Sequence, residues 1–217
     1  PTTLRSGMVT VEDGLTAYRV CAKAEGKSPR TIEWVTSSVR YFLDFLGGNV
    51  EIEAIGPNEL RAFINALRDS YKYRCHPYVK PQRDKLSDAS INTYARAIRA
   101  FFGYLEREGF ISYNPMAGIR MPKVPHKVVP TFSEREVERL LSMPDKQTSR
   151  GFRDYAIMLT FVDTGIRISE LAQLRIGDVD FENGYLKVMG KGGQGALCAL
   201  RDEGGQGPSQ IQIEASP

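Results

Sequence analysis

Four amphipathic stretches of helical period follow one another in the first half of the chain, with no strand pattern between them. Their apolar residues recur every three or four positions, which places them on one face of a helix. Serine, threonine or proline start signals and glycine stops bound the stretches. Residues 10–111 are therefore predicted to form a four-helix domain. The predicted inward-facing residues are Val11, Leu15, Tyr18, Ala22, Ile32, Val35, Val39, Phe42, Leu46, Leu60, Phe63, Ile64, Leu67, Ile91, Tyr94, Ile98, Phe101, Phe102 and Leu105.

The segments on either side of these helices carry no helical period. Residues 1–9 are predicted to be a loose N-terminus. Residues 112–130 contain Pro115, Pro122, Pro125 and Pro130, and proline at this density excludes a helix. The same segment holds several basic side chains and no acidic one, so it is predicted to be a semi-rigid basic linker between domains.

Residues 131–193 are predicted to form a second, smaller domain that mixes helix and strand. A helix over Glu134–Leu141 and a buried apolar helix over Arg150–Val162 come first. Asn183-Gly184 then separates two short strand-like runs, which is a strong hairpin signal. Residues 194–217 are rich in glycine and have little apolar periodicity, so we expect most of this tail to be disordered.

Charge is distributed unevenly along the chain. Residues 58–130 hold 13 Lys and Arg against 6 Asp and Glu, although the net charge of the whole chain is only +3. A local basic excess favours a polyanionic partner, while an ordinary solvated surface is the alternative. Cys21, Cys75 and Cys198 are too far apart to indicate a zinc site or a disulfide framework. No apolar run predicts a membrane span and no signal peptide opens the sequence, so we expect a cytoplasmic protein.

Two cations near the end of the second domain stand in settings that suit a phosphate. Arg167 follows a glycine turn at the start of a short helix, and Glu170, three residues later, can hold its guanidinium in place. Lys191 lies in a glycine-flanked turn after a strand, from which it can reach a groove. Taken alone, Arg167 and Glu170 fit a surface ion pair, and Lys191 fits a solvated turn residue. Their occurrence together after a basic helical domain favours a shared phosphate site.

The block Thr164-Gly-Ile-Arg-Ile-Ser-Glu-Leu171, followed by Gly190-Lys-Gly-Gly193, resembles the tyrosine recombinase (phage integrase) family of XerC/XerD-like site-specific recombinases. The resemblance runs from about Thr10 to Gly193. In the helical half it consists of four weaker similarities: Pro29-Arg-Thr-Ile32, Ser90-Ile-Asn-Thr-Tyr94, Phe101-Phe-Gly-Tyr-Leu105 and Asn114-Pro115.

The resemblance implies a mainly α architecture and a role on DNA. It implies a four-helix SAM-like core-binding domain, followed by a partial α/β catalytic domain with a small antiparallel sheet, the two gripping duplex DNA. Arg167 would bind the scissile phosphate and Lys191 would protonate the leaving 5′ oxygen, with Glu170 supporting Arg167. No metal and no cofactor are implied. The expected partners are duplex DNA and further recombinase protomers, with no membrane.

In that family the second and fourth helices of the core-binding domain face the major groove. Polar side chains off the apolar stripes are the candidate contacts, because Asn can read adenine and Arg can read guanine or hold a phosphate. Plain helix surface is the alternative for each of them. The candidates are Arg30, Thr31, Ser37, Arg40, Asn92, Thr93, Arg96 and Arg99.

The sequence departs from the family after Gly193. His76 and His126 are the only histidines and both precede Arg167, so the family's His-x-x-Arg motif does not occur, and no tyrosine follows Tyr185. We therefore expect a C-terminally truncated recombinase that does not cleave DNA and whose second domain exposes apolar surface. In the family, Lys-x-Arg-x-Val-Pro follows the Gly-Lys-Gly turn. When residues 194–200 are back-translated to codons and the reading frame is shifted by one base, the codons permit this motif. We hypothesise an out-of-frame tail, which an early stop in the shifted frame of the gene would exclude.

Three readings remain open at this stage. The first is a DNA-binding tyrosine recombinase for DNA integration and recombination, inactive for strand cleavage. The second is a non-catalytic module that occupies recombination sites or partners a full-length recombinase. The third is a general helical interaction protein. Binding to duplex DNA separates the first two from the third.

Overall fold

The computed structural model describes residues 9–72, 83–126, 128–189 and 195–199 of the 217. The chain forms two compact units, residues 1–127 and residues 128–217. The predicted fold class, mainly α with a small antiparallel sheet, is confirmed.

The first unit is built from four helices that begin where the start signals predict. They are α1 (Val11–Ala24), α2 (Pro29–Leu46), α3 (Pro57–Asp69) and α4 (Asp88–Arg107). At α1, α2 and α4 a side-chain oxygen of the residue before the helix accepts from one of the free N–H groups of the first turn. Thr10 and Asp13 form a reciprocal capping box at α1. Ser28 and Ser87 accept from the backbone N–H groups of Thr31 and Ser90, both at 3.2 Å.

The core of this unit consists of the apolar stripes that the sequence predicts. Val39, Phe42, Phe101 and Leu105 have no exposed surface. Ile32, Leu46, Ile64 and Tyr94 are half-buried and pack at the edge of the same cluster. The four-helix prediction is confirmed, because every predicted inward position is buried or half-buried.

The segment predicted as a linker differs from expectation in its first half. Asn114, Met116, Ile119 and Pro122 are buried, and the side-chain oxygen of Asn114 accepts a hydrogen bond from the backbone N–H of Met116 at 2.9 Å. The boundary between the two units falls at residue 127, well after residue 111. Proline excludes a helix here, as predicted, but it does not prevent apolar side chains from packing onto the helices.

The described residues of the second unit form three α-helices and a three-stranded sheet. The helices are α5 (Glu134–Ser142), α6 (Ser149–Thr164) and α7 (Ile168–Leu171). The strands β1 (Val179–Asp180), β2 (Tyr185–Met189) and β3 (Gly195–Ala199) are antiparallel in the order β1-β2-β3. Gly184, with a φ of +66°, makes the predicted Asn183-Gly184 turn.

Two features of this unit differ from the sequence-based expectations. Residues 195–199, within the tail of which most was expected to be disordered, form β3 by pairing with β2, and residues 200–217 lie outside the described residues. The helix expected to be buried is only half-covered: within α6 only Gly151 is buried, and Phe152 is 61% exposed. The apolar surface expected on this unit is present, since Ile168, Ile176 and Phe181 are also largely exposed.

Candidate active site and nucleic-acid interface

Arg167 is held at the start of α7 by Glu170. One carboxylate oxygen of Glu170 accepts from the backbone N–H of Arg167 at 2.8 Å, and the other accepts from the guanidinium, also at 2.8 Å. The Arg167 side chain is 74% exposed, whereas that of Glu170 is 11% exposed. The guanidinium is therefore fixed at one end and retains hydrogen-bond donors that face solvent.

The two hydrogen bonds also set the protonation state of Glu170. The bond from the backbone N–H of Arg167, followed by the bond from its guanidinium, holds the pKa of the Glu170 carboxyl below its ordinary value. Glu170 thus stays ionised at neutral pH and remains paired with the Arg167 guanidinium. Because α7 has only four residues, the local positive field comes from Arg167 more than from a helix dipole.

The turn that precedes Arg167 is anchored to the sheet. Gly165 ends α6 in the left-handed conformation, with a φ of +64°, and its N–H donates to the carbonyl of Phe161 at 3.0 Å. Ile166 is 7% exposed and packs with Leu186 and Val188 of β2. This small apolar cluster fixes the backbone on which Arg167 turns outward.

Strand β2 extends from this cluster toward the predicted lysine. Leu186 and Val188 are buried, and Met189 pairs with Gly195 of β3. Lys191, the predicted general acid, lies outside the described residues. The strand that leads to it and the turn that carries Arg167 therefore share one apolar anchor.

An open groove of about 720 Å³ runs between α7 and β2. Its lining includes Glu170, Arg175, Asp178 and Lys187. Sequence reasoning missed Arg175 and Lys187 as members of this site. The available signal was the alternation in β2, where Leu186 and Val188 point inward and Lys187 outward. The groove thus carries two cations and two carboxylates, and the positive charge of Arg167 stands beside it through the ion pair with Glu170.

The predicted DNA contacts on α2 have different surroundings. Arg30 is exposed and makes no hydrogen bond or ion pair within the described residues. The hydroxyl groups of Thr31 and Ser37 bond within their own helix region, to Ser28 and to the carbonyl of Glu33, both at 2.8 Å. Arg40 lies 3.9 Å from the carboxylate of Glu12, a weak exposed pair.

On α4 the four predicted contacts divide into two pairs. Thr93 is exposed and bonds the carbonyl of Ala89 in its own helix, and Arg96 is exposed without a partner among the described residues. By contrast, the side-chain amide of Asn92 donates to the carbonyl of Pro122 at 2.7 Å. The guanidinium of Arg99 donates to the carbonyl of Ile119 at 2.5 Å. Asn92 and Arg99 thus hold another segment of this unit.

Neither a metal cluster nor a membrane helix was found in the part of the chain that the structure describes. Within 9–72, 83–126, 128–189 and 195–199, no three His, Cys, Asp or Glu side chains gather closely enough to hold a metal ion. None of the helices in those ranges has the length and hydropathy to cross a bilayer.

Comparison with known proteins gives a consistent assignment. The family described as the phage integrase family matches residues 130–206, which extends past Gly193 into the tail. Tyrosine recombinase XerC of Pelotomaculum thermopropionicum is 32% identical over 175 residues, which are 80% of this chain and 54% of that protein. XerC of Oceanobacillus iheyensis is 30% identical over 167 residues, 76% of this chain and 50% of that protein. The chain spans about half the length of these curated relatives.

The solved structures are similar in fold. A lambda integrase dimer bound to a COC′ core site superposes with a TM-score of 0.62 at 21% identity, covering 88% of this chain and 49% of that one. At this identity the similarity concerns the fold alone. It covers the helical unit as well as the unit that carries Arg167.

Proposed function

Because this chain belongs to the tyrosine recombinase family, we propose that it binds duplex DNA and that Arg167 grips the phosphate at which strand exchange takes place. Lys191 is proposed to act on the leaving 5′ oxygen of the same phosphate, and Glu170 to position Arg167. The first unit is proposed to hold the duplex through α2 and α4. Further protomers on the same DNA are the expected protein partners.

The observation that carries this proposal is the exposed, pre-positioned guanidinium of Arg167. Phosphoryl transfer builds negative charge on the non-bridging oxygens, and preorganised donors stabilise that charge. A planar guanidinium supplies two parallel hydrogen bonds and keeps its proton. Since Glu170 occupies only part of the guanidinium, the remaining donors of Arg167 are available to a phosphate.

The 217 residues contain the phosphate-binding part of the chemistry and no candidate for the covalent step. No tyrosine follows Tyr185, and both histidines precede Arg167. A tyrosine recombinase mechanism requires a nucleophile that bonds to the phosphorus and releases the 5′ oxygen. We therefore propose that this chain, as it stands, binds DNA without cleaving it.

The partner is inferred from charge and from the fold neighbours. Residues 58–130 carry the basic excess, and they include α4 and its exposed arginines. The lambda integrase structures were solved as a dimer on a core site and as a tetramer on a Holliday junction. Both observations support duplex DNA as the ligand and further copies as neighbours on it.

A duplex-binding titration in increasing salt tests the proposal. We expect tight binding at low salt that weakens steeply as salt rises, with Arg167→Ala lowering the slope of log K against log salt by about 0.9. Arg153→Ala is the matched control, because Arg153 lies in the same unit with its side chain 64% exposed and pairs only with its neighbour Asp154. If the unmodified chain shows no duplex binding at low salt, the proposal is wrong.

A nicked duplex that traps covalent intermediates separates the two recombinase readings. We expect no covalent protein–DNA product from this chain. That outcome, together with duplex binding, favours a module that occupies recombination sites or partners a full-length recombinase, a role supported by the lack of any tyrosine after Tyr185. A covalent product would show that the chain contains a nucleophile and would refute the non-cleaving assignment.

A further inference from the structure

Residues 119–122 lie along α4 and are fixed to it at both ends. Arg99 donates to the carbonyl of Ile119 at 2.5 Å, and Asn92 donates to the carbonyl of Pro122 at 2.7 Å. Three residue steps of extended chain span roughly 10 Å, and the seven residue steps from Asn92 to Arg99 span about the same length of helix. The segment therefore runs antiparallel to α4 over two helical turns.

The apolar side chains of this segment face the helical core and its basic side chains face solvent. Ile119 and Pro122 are buried and Met121 is half-buried against the helical core, while Arg120 and Lys123 are exposed. On α4, Arg96 occupies the position between the two anchoring side chains, because residues four and seven apart share one helix face. Arg96, Arg120 and Lys123 are thus the exposed cations along the line where this segment contacts α4.

None of these cations is paired with a carboxylate in the part of the chain that the structure describes, whereas Arg40, Arg68 and Arg107 all are. The sequence places no Asp or Glu between Asp88 and Glu106, nor anywhere in residues 109–133. Like charges held together without a counter-ion repel one another, and the rows of phosphates on a duplex would relieve that repulsion.

We infer that Arg96, Arg120 and Lys123 form one phosphate-contacting ridge, and that Asn92 and Arg99 are positioning residues that clamp the 119–122 segment onto α4 to build it. The inference rests on the proposed binding of duplex DNA. It reassigns Asn92, which the sequence suggested as an adenine reader, because bidentate reading of adenine needs the side-chain amide that Pro122 engages.

The ridge is tested by salt titrations of the full chain against duplexes of two unrelated sequences. Arg120→Ala and Lys123→Ala are each expected to lower the salt slope by about 0.9, as is Arg96→Ala. The losses should be equal on both sequences, because phosphate contacts carry no base information. If the unmodified chain binds duplex DNA and both Arg120→Ala and Lys123→Ala keep its full slope, the ridge is refuted while the proposed function stands.

The clamp is tested with a variant that removes no charge. Asn92→Ala is expected to weaken binding to both duplexes roughly tenfold, because the released segment must be ordered again on binding. Trypsin should also cut after Arg120 and Lys123 faster in this variant, without DNA present. Asn65→Ala is the control, since Asn65 is exposed on α3, outside the two helices proposed to hold the duplex, and makes no hydrogen bond within the described residues.

Other outcomes distinguish the alternatives. If Asn92→Ala weakens binding to only one of the two duplexes, Asn92 reads a base. If trypsin cuts the variant no faster than the parent chain, Asn92 does not hold the 119–122 segment on α4. Either result overturns the clamp. If no variant and no parent chain binds a duplex, the proposed function fails. The helical circular dichroism of each variant shows that the four-helix unit remains folded.

Discussion

Replacement of Gly14 by alanine tests how tightly α1 packs on the helix that carries the ridge. A Cβ added at Gly14 would lie 3.0 Å from Leu105, 3.2 Å from Ile52 and 3.3 Å from Phe101, measured to their side-chain carbons. All three neighbours are buried. Overpacking of this kind costs about 1–3 kcal/mol, whereas alanine gains about 1 kcal/mol over glycine inside a helix.

Gly103 provides the matched control in α4. A Cβ there would meet only the side-chain nitrogen of Asn114, at 4.0 Å. Gly103→Ala should therefore stabilise the helix by about 1 kcal/mol, which for a unit of this size raises Tm by about 4 °C. Gly14→Ala should leave Tm unchanged or lower it by up to about twice that shift.

The measurement can be confined to the first unit. Trp34 is the only tryptophan in the chain, and it packs half-buried against the helical core. Its fluorescence during thermal unfolding reports on the four helices and not on the second unit. A Gly14→Ala variant whose Tm rises as much as that of Gly103→Ala would show that Leu105 and Ile52 yield without cost, and the packing argument would be wrong.

Three further predictions concern the second unit. Gly151→Ala should destabilise it while leaving the Trp34 transition unchanged, because a Cβ would run into the backbone of Asp145, whose N would lie 2.9 Å away; an unaltered second transition would contradict this. The pKa of Glu170 is lowered in the folded chain, so its contribution to stability is present above the ordinary carboxyl pKa and is lost as pH falls through the lowered value. Titration of the Glu170 carboxyl by NMR should give a midpoint below the ordinary one, and a midpoint at or above it would rule out the pairing with Arg167. Phe152→Ser and Val162→Ser should reduce both the binding of a hydrophobic dye and aggregation without lowering Tm, since these side chains are 61% and 48% exposed. If Tm falls in samples whose light scattering equals that of the parent chain, the two side chains are packed and the prediction is wrong.

The helical unit was predictable from sequence because its signals are local. The apolar period of α4 and the serine that caps it lie within the helix they specify, and Ile98, Phe101 and Leu105 are buried as predicted. Strand β3 was missed for the opposite reason. Residues 195–199 have little strand propensity of their own, and their conformation comes from pairing with β2.

The same distinction applies to the candidate sites. The pairing of Arg167 with Glu170 follows from a spacing of three residues, and the structure shows it. The partners of Asn92 and Arg99 lie 30 and 20 residues away, so no local pattern indicates that these side chains hold a carbonyl. Burial of α6 was overestimated because apolar composition alone does not say whether a neighbour covers the helix.

The hydroxyl caps at the starts of α1, α2 and α4 have a consequence for the order in which this chain acquires structure. Each cap is completed within three residues, so a helix start can form before any distant contact exists. Helical bundles with short-range contacts fold in microseconds to milliseconds. The unit that precedes Arg167 in the chain should therefore be complete early in synthesis, ahead of a sheet whose third strand must wait for residue 199 to emerge.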